Sequence, residues 1–247
     1  MKVRSSAKAE RILLKVPRFE QPDDVTCGPT CLAQVYSYYG QGKPLSSIIN
    51  ATESNPDGGT LSVYLGIRAL DDGFAARSYS YNLRVFDPTW QKLDRAALSE
   101  KLRQRLQTVT SEKLERTISA YLDYIRLGGQ LGFADLTPRL IIRLLARGQP
   151  VITGLNATYL YRTPREYANE YDDVRGDPAG HFVVISGYYP RTQRFVICDP
   201  STHIPFSRTG TYTVKADRLL ASILLGDLTY DAVLLTLRPR PRTHSQH

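Results

Sequence analysis

The sequence lacks any long hydrophobic run. No stretch of the 247 residues approaches the ~20 consecutive apolar residues that a membrane-spanning helix needs. The segment MKVRSSAKAERILLKVPRF at the start has neither an apolar run of signal-peptide length nor a small-residue cleavage site. These absences predict a cytoplasmic protein without a membrane partner.

Cysteine and histidine are also scarce. The three cysteines are an odd number, which fits a reducing compartment better than a disulfide framework. Two of the four histidines, His244 and His247, lie in the last four residues. A zinc site needs about four Cys or His ligands at suitable spacing, and the chain has no such set. We therefore expect neither a metal nor another cofactor.

The middle of the chain has no net charge. Of the formal net charge of +8, residues 1–18 carry +5 and residues 238–247 carry +3, so residues 19–237 are neutral. A nucleic-acid-binding domain would carry basic side chains on its folded body. The sequence therefore predicts no nucleic-acid partner and a disordered basic tail at 238–247. The alternative is an electrostatic tether, in which the basic ends dock the protein on nucleic acid or a membrane.

The length favours one domain, which we expect to span residues 1–237. Helical patterns come first and strands of a mostly antiparallel sheet follow, so the fold class is predicted to be α+β. Residues 88–127 form a charged, leucine-spaced stretch typical of two amphipathic helices. We interpret this stretch as an insertion and a candidate lid or specificity element.

The segment EQPDDVTCGPTCLAQVYSYYG, residues 20–40, contains two of the three cysteines. A helical pattern begins at Gly28, Pro29 suits the first turn, and Gly40 suits the position after the last. Cys27 is thus expected at a helix N-terminus, where the helix dipole favours a thiolate. Cys31, one turn further, is expected to pack as a small apolar residue, and the i, i+4 spacing disfavours a disulfide. The alternative is that Cys27 is also only buried.

A cysteine nucleophile needs a base and a group that orients the base. His181 begins the apolar strand HFVVISGYY, and Asp199 follows the next strand, RFVIC. Antiparallel pairing across a tight turn would place these two residues side by side. His203 is the only competing histidine in the body and lies in a loop-like stretch. Gln21, six residues before the cysteine, is a candidate oxyanion donor.

The segments VPRFEQPDDVTCGPTCLAQVYSYYG and GHFVVISGYYPRTQRFVICDPS resemble the peptidase C39-like branch of the papain-like cysteine peptidases. In that family a Gln, a Cys-Gly-Pro at a helix start, a strand-leading His and an Asp-Pro pair form the site. Gln21, Cys27, His181 and Asp199 match these positions. The resemblance covers residues 14–86 and 136–237. No transporter segment accompanies the motifs, unlike in bacteriocin-exporting members, so a stand-alone peptidase is expected.

The resemblance implies a papain-like fold and hydrolysis of an amide or peptide bond through a Cys27 thioester, with a peptide or protein as substrate. Two alternatives stay open: a transpeptidase or amidase that acts on a small peptide, and a catalytically idle binding module. The oligomeric state is not predicted. Four tyrosines before His181 either line the substrate groove or pack on the surface: Tyr159, Tyr161, Tyr167 and Tyr171. The nearby acidic residues Glu170, Asp172, Asp173 and Asp177 argue against a strongly acidic substrate.

Overall fold

The structure is a computed structural model that describes residues 10–56, 58–168, 170–226 and 232–241. The helices of this part of the chain are α1 (Cys27–Tyr38), α2 (Leu45–Ala51), α3 (Ser62–Asp71), α4 (Arg95–Leu106), α5 (Glu112–Arg126), α6 (Pro138–Ala146), α7 (Ala157–Tyr161) and α8 (Ala216–Leu225), with a 3-10 helix at Pro88–Lys92. Its strands are β1 (Ile12–Leu13), β2 (Phe74–Ser80), β3 (Gln130–Gly132), β4 (Val151–Asn156), β5 (Glu166–Tyr167), β6 (Glu170–Tyr171), β7 (Gly180–Tyr189), β8 (Arg194–Cys198), β9 (Thr211–Lys215) and β10 (Val233–Pro239).

One large sheet forms the centre of the fold. Its strand order is β3-β2-β10-β4-β7-β8-β9, and β1 pairs with the end of β7. The β2–β3 pair is parallel, and the other pairs of this sheet are antiparallel. Strands β5 and β6 form a separate hairpin. The predicted α+β class is confirmed.

Helices cover both faces of the sheet. Along β7, Phe182 and Val184 belong to the hydrophobic core formed with α1, α3, α4 and α5, whereas Val183 and Ile185 belong to the core formed with α6 and α8. Successive side chains of a strand point to opposite faces, so an uninterrupted apolar run is what a strand buried on both faces requires. The apolar sequence of β7 therefore follows from its central position.

The helices of the segment 88–127 form as predicted and begin at conventional caps. Asp94 and Ser111 accept hydrogen bonds from backbone N–H groups in the first turns of α4 and α5. The apolar stripe of α5, which includes Ile118 and Tyr124, is buried in the same core as α1. Residues that only cover a substrate would be open to solvent, so this burial indicates that α5 also supports the core. Lys113 at its first turn reaches a cleft beside Cys27.

The structure differs from the sequence-based expectation at three places. The short helix α2 was not predicted, and only Ile48 of this helix is buried, which explains its weak pattern. The segment TVKADRLLASILLG, residues 213–226, has a helical pattern in the sequence, but residues 213–215 belong to the edge strand β9. Strand β10 pairs with β2 through Pro239, two residues beyond the expected domain end at 237. Residues 242–247 of the expected tail lie outside the described residues.

Within the described ranges, none of the helices combines the length and the apolar character required for crossing a bilayer.

Candidate active site

Cys27 is the first residue of α1 and is 9% exposed. The chain turns into this helix through Asp23, whose Oδ1 accepts hydrogen bonds from the N–H groups of Val25 and Thr26, each 3.0 Å long. The first N–H groups of a helix have no partner within it, so they are free to bind an oxygen of a substrate. The turn therefore presents the thiol together with backbone donors.

Gly28 allows the start of α1 to pack closely against the start of α3 and the loop just before it. A Cβ atom at this position would lie 2.4 Å from Cγ2 of Thr60 and 3.3 Å from both Cδ atoms of Leu65. Thr60 is fixed by a 2.8 Å hydrogen bond from its Oγ1 to the carbonyl oxygen of Glu53. A glycine directly after the cysteine thus follows from a steric need of the site.

His181 and Asp199 lie side by side, as the hairpin pattern predicts. Strands β7 and β8 pair with Val184 opposite Cys198, which brings the start of one strand beside the end of the other. The His181 Nε2 and Asp199 Oδ1 atoms are 2.8 Å apart. The Cys27 thiol lies close enough to the His181 ring to raise its pKa. Since Nε2 faces the carboxylate, Nδ1 is the nitrogen left for the thiol, and the three side chains lie in the order thiol, imidazole, carboxylate.

The two ends of the His181–Asp199 pair stabilise each other's charge. Burial, the largest influence, would lower the pKa of His181, but the Asp199 carboxylate and the Cys27 thiol raise it to about 10. Burial would likewise raise the pKa of Asp199, but His181 and other donors hold it below its ordinary value. At neutral pH the pair is therefore an imidazolium and a carboxylate.

Two tyrosines complete the surroundings of Asp199, which is fully buried. The Tyr161 and Tyr212 hydroxyls donate to Asp199 Oδ2 at 2.7 and 2.6 Å. Oδ1 accepts from the N–H of Ser201 at 2.9 Å besides its contact with His181. The sequence interpretation missed both tyrosine contacts. The sequence singles out Tyr161 only as one of four tyrosines before His181, and the alternation of residues around Tyr212 in β9 is the signal that could have located the second.

Gln21 lies in the cleft that also contains His181. Its backbone N–H donates to the carbonyl oxygen of Pro200 at 3.0 Å, which ties it to the loop after Asp199. Its side-chain Nε2 donates to the carbonyl oxygen of Asp23 at 2.7 Å. An amide nitrogen carries two hydrogens, so one N–H remains for a ligand.

Arg18 also forms hydrogen bonds with the loop that begins at Asp199. Its Nε donates to the backbone carbonyl of Asp199 at 3.0 Å, and its Nη2 donates to that of Ser201 at 2.8 Å. The segment before α1 and the loop after β8 are therefore joined by side-chain as well as backbone hydrogen bonds. This connection fixes Gln21 relative to the Asp199 end of the site.

The other two cysteines are packed away from the clefts. The Cys31 thiol donates to the carbonyl oxygen of Phe182 at 3.3 Å, and the Cys198 thiol donates to Gln34 Oε1 at 3.1 Å. Burial is the leading cause of a raised pKa at both, to well above the ordinary value at Cys31 and to about 12 at Cys198. Both are protonated thiols at neutral pH, and all three cysteines of the chain are free.

Two adjoining clefts open at the site and share Asp24, Gly180 and His181. One has a volume of about 400 Å³ and is lined on its far side by residues that include Gln21 and Tyr161. The other has a volume of about 330 Å³ and contains Cys27. A chain that passes from one cleft to the other must cross Gly180 and His181, next to the thiol.

Three other side chains that the sequence suggests for the site form no hydrogen bond with Asp199. His203 lines the larger cleft but is exposed and is not part of the series of hydrogen bonds around Asp199. Tyr171 also lines this cleft, whereas Tyr167 lies under the guanidinium group of Arg175, 4.7 Å from its carbon atom. Among the described residues, no group of three or more His, Cys, Asp and Glu side chains could hold a metal ion.

Comparison with known proteins identifies one family. Residues 13–216 match the Peptidase_C39 like family. No curated protein matches the sequence significantly.

Three solved structures are similar to this chain. The first is a double glycine motif protease from an AMS/PCAT transporter in complex with the leader peptide, with 16% identity and a TM-score of 0.43 over 93% of this chain and 98% of that one. The second is the peptidase domain of Streptococcus ComA, a bifunctional ABC transporter, with 14% identity and a TM-score of 0.45 over 91% and 99%. The third is xylellain, a cysteine protease from Xylella fastidiosa, with 12% identity and a TM-score of 0.46 over 94% and 86%.

Proposed function

The chain belongs to the Peptidase_C39 like family and is a cysteine peptidase, and from this premise we propose that Cys27 is its nucleophile, His181 its general acid and base, and Asp199 the group that orients His181. The observation that carries the proposal is the arrangement of thiol, imidazole and buried carboxylate, with His181 hydrogen-bonded to Asp199, at the place where two clefts meet. A nucleophile, a base and an orienting group in this order are what acyl transfer by a cysteine requires.

The first half of the reaction forms a thioester. The Cys27 thiolate attacks the carbonyl carbon of the scissile bond, and the electron pair of the C=O bond moves to its oxygen. When the tetrahedral intermediate collapses, the C–N bond breaks and the leaving nitrogen takes the proton of the His181 imidazolium. The pKa of His181, about 10, keeps this proton on the ring at neutral pH, so the imidazolium can donate it to the leaving nitrogen.

The second half of the reaction consumes water. His181, now neutral, removes a proton from a water molecule that attacks the thioester carbon. The C–S bond then breaks, the carboxylic acid product leaves, and the thiolate–imidazolium pair is restored. Asp199 holds the ring in place through both halves, because its contact with Nε2 leaves Nδ1 directed at the thiol.

We assign Gln21 to the oxyanion that exists only in the tetrahedral intermediate. Its Nε2 keeps one hydrogen free after donating to Asp23, and the Cys27 backbone N–H at the start of α1 is the natural second donor. Donors of this kind act on the transition state more than on the resting enzyme. This role therefore predicts a loss of turnover without a loss of thiol reactivity when Gln21 is replaced.

We also propose that the substrate is a peptide or protein and that the enzyme works in the cytoplasm. An extended groove formed by two clefts suits a peptide chain, and the three free cysteines suit a reducing compartment.

The proposal is tested by alkylation with iodoacetamide at pH 6, followed by mass spectrometry of tryptic peptides. Cys27 should be labelled rapidly because it lines an open cleft beside the His181 imidazolium, whereas Cys31 and Cys198 are buried, serve as internal controls and should remain unmodified. The His181→Ala variant should label as slowly as an ordinary thiol at this pH. Similar slow labelling of all three cysteines, or rapid labelling in His181→Ala, would refute the assignment.

A further inference from the structure

The larger cleft is lined by two carboxylates, Asp24 and Glu166, and by no lysine or arginine. The His181 imidazolium offsets one of the two negative charges, and the other residues of the lining are His203 and neutral side chains. Asp24 also lines the smaller cleft and so stands next to the point where the scissile bond must lie. Both carboxylates are on the solvent-exposed rim.

Neither carboxylate takes part in an ion pair formed within the described ranges. Two arginines near Glu166 in sequence have other partners: Arg165 donates to backbone carbonyl oxygens of its own loop, and Arg175 pairs with Asp172. The negative charge of Asp24 and Glu166 is therefore available to a ligand. The side chain of neither residue caps a helix in this part of the chain.

The smaller cleft differs in charge, because it is lined by Lys113 as well as Asp24. A peptide that crosses the site would thus meet a net negative surface only on the side of Gln21 and Glu166. Asp172, one of the acidic residues before His181, is paired with Arg175 and does not line the cleft. It therefore contributes less to the negative charge of the cleft than the sequence suggests.

We propose that the cleft formed by Asp24 and Glu166 binds the cationic side chain of a lysine or arginine in the peptide substrate, so that the enzyme selects substrates with a basic residue on one side of the scissile bond. This inference rests on the proposed peptidase function and adds the class of substrate. The two carboxylates are specificity residues, since the thioester chemistry uses neither. Contacts between exposed opposite charges are weak, so each should change binding about two- to fivefold.

The test measures binding without catalysis. The full-length Cys27→Ala protein is immobilised and incubated with a random octapeptide library, and the retained peptides are sequenced against the input. Arg and Lys should be enriched about two- to fivefold for each carboxylate contact, at one or two positions. The added double substitution Asp24→Asn with Glu166→Gln should abolish this enrichment. Glu170→Gln is the matched control, because Glu170 is exposed on the same hairpin but does not line the cleft.

The inference would be overturned by no enrichment of basic residues, by equal enrichment in the double variant, or by retention of no peptide at all. Loss of enrichment in Glu170→Gln would also overturn it, because the effect would then belong to the general charge of the hairpin. The failure of the peptidase function is detected separately, by slow alkylation of Cys27 in the wild-type protein.

Discussion

Replacement of Asp199 by asparagine should separate the charge of this residue from its proposed role in orienting His181. The amide has the same shape, and its oxygen can keep the contacts of Oδ1 with His181 and the Ser201 N–H. Its NH₂ group would replace Oδ2, and its two hydrogens match the two hydroxyls of Tyr161 and Tyr212, which can rotate from donating to accepting. The variant should therefore keep the ring in place while it loses the negative charge.

The expected magnitude follows from the pKa of His181. With the carboxylate present the pKa is about 10, so nearly every molecule carries the imidazolium at pH 8. Without that charge, burial remains as the largest influence, and it lowers the pKa toward or below the ordinary histidine value of about 6.5. At pH 8 an imidazole with that pKa is only about 3% protonated, so kcat/KM should fall at least about thirtyfold at this pH. Asp199→Ala should lose more, because the ring is then also free to turn.

The assay is the pH profile of kcat/KM for an internally quenched peptide between pH 5 and 10.5 at constant ionic strength. A group whose pKa is raised by the fold loses its proton only as the pH rises through the raised value, so the wild-type alkaline limb should lie near pH 10. In Asp199→Asn this limb should move to lower pH, and circular dichroism should show an unchanged fold. An alkaline limb that stays near pH 10 in the variant would refute the reasoning, since the carboxylate charge would then not hold the proton.

Further substitutions address other parts of the site. Gln21→Ala should reduce kcat about 10²–10³-fold while the rate of thiol alkylation at pH 6 stays within twofold of wild type; a full loss of alkylation would show a structural role instead. Tyr161→Phe and Tyr212→Phe should each reduce kcat about tenfold, because each removes one charge-assisted hydrogen bond to Asp199 Oδ2. The double variant should lose more than the product of the two single losses, because Oδ2 is then buried without a donor. Losses in the double variant that equal this product would contradict the expectation. Gly28→Ala should lower the free energy of unfolding by about 1–3 kcal/mol through overpacking. Adding Thr60→Ser to this variant should restore the stability measured by thermal denaturation, because serine lacks the clashing methyl group and keeps the hydroxyl.

The parts of the site that local patterns determine could be predicted. Gly28 and Pro29 place the start of α1, and with it Cys27, without any information from the rest of the chain. The pairing of His181 with Asp199 follows from two adjacent apolar runs joined by a short turn. In both cases the residues that decide the structure are close in sequence, so spacing alone carries the information.

The contacts of Asp199 with Tyr161 and Tyr212 could not be predicted in the same way. Tyr161 is the last residue of α7, in a tyrosine-rich stretch where no spacing distinguishes one ring from another. Tyr212 lies in β9, a short edge strand whose last residues also fit the helical pattern of α8. The two hydroxyls meet one carboxylate oxygen only through the packing of α7 and β9 around the end of β8.

In the segment 88–127, too, the helices could be predicted from the sequence but their packing could not. Its leucine spacing predicts two amphipathic helices, and α4 and α5 form at the expected places. The periodicity of a helix shows that one face is buried but not which surface covers it. The packing of Tyr124 against Gly66 and Gly129, where an added Cβ would lie 2.7 and 2.4 Å from its ring, became visible only in the structure.

The carboxylates of the site act in two different environments, and their response to salt should separate their roles. Asp199 is fully buried and accepts four hydrogen bonds, so mobile ions cannot approach it closely. Asp24 and Glu166 are exposed, and at 0.5 M salt the screening length is shorter than about 8 Å, the value at physiological ionic strength. Raising the salt concentration from 0.05 to 0.5 M should therefore weaken the preference for basic peptides and leave the alkylation rate of Cys27 at pH 6 nearly unchanged. A parallel loss of both would mean that the reactivity of the thiol depends on the exposed carboxylates and not on the buried one.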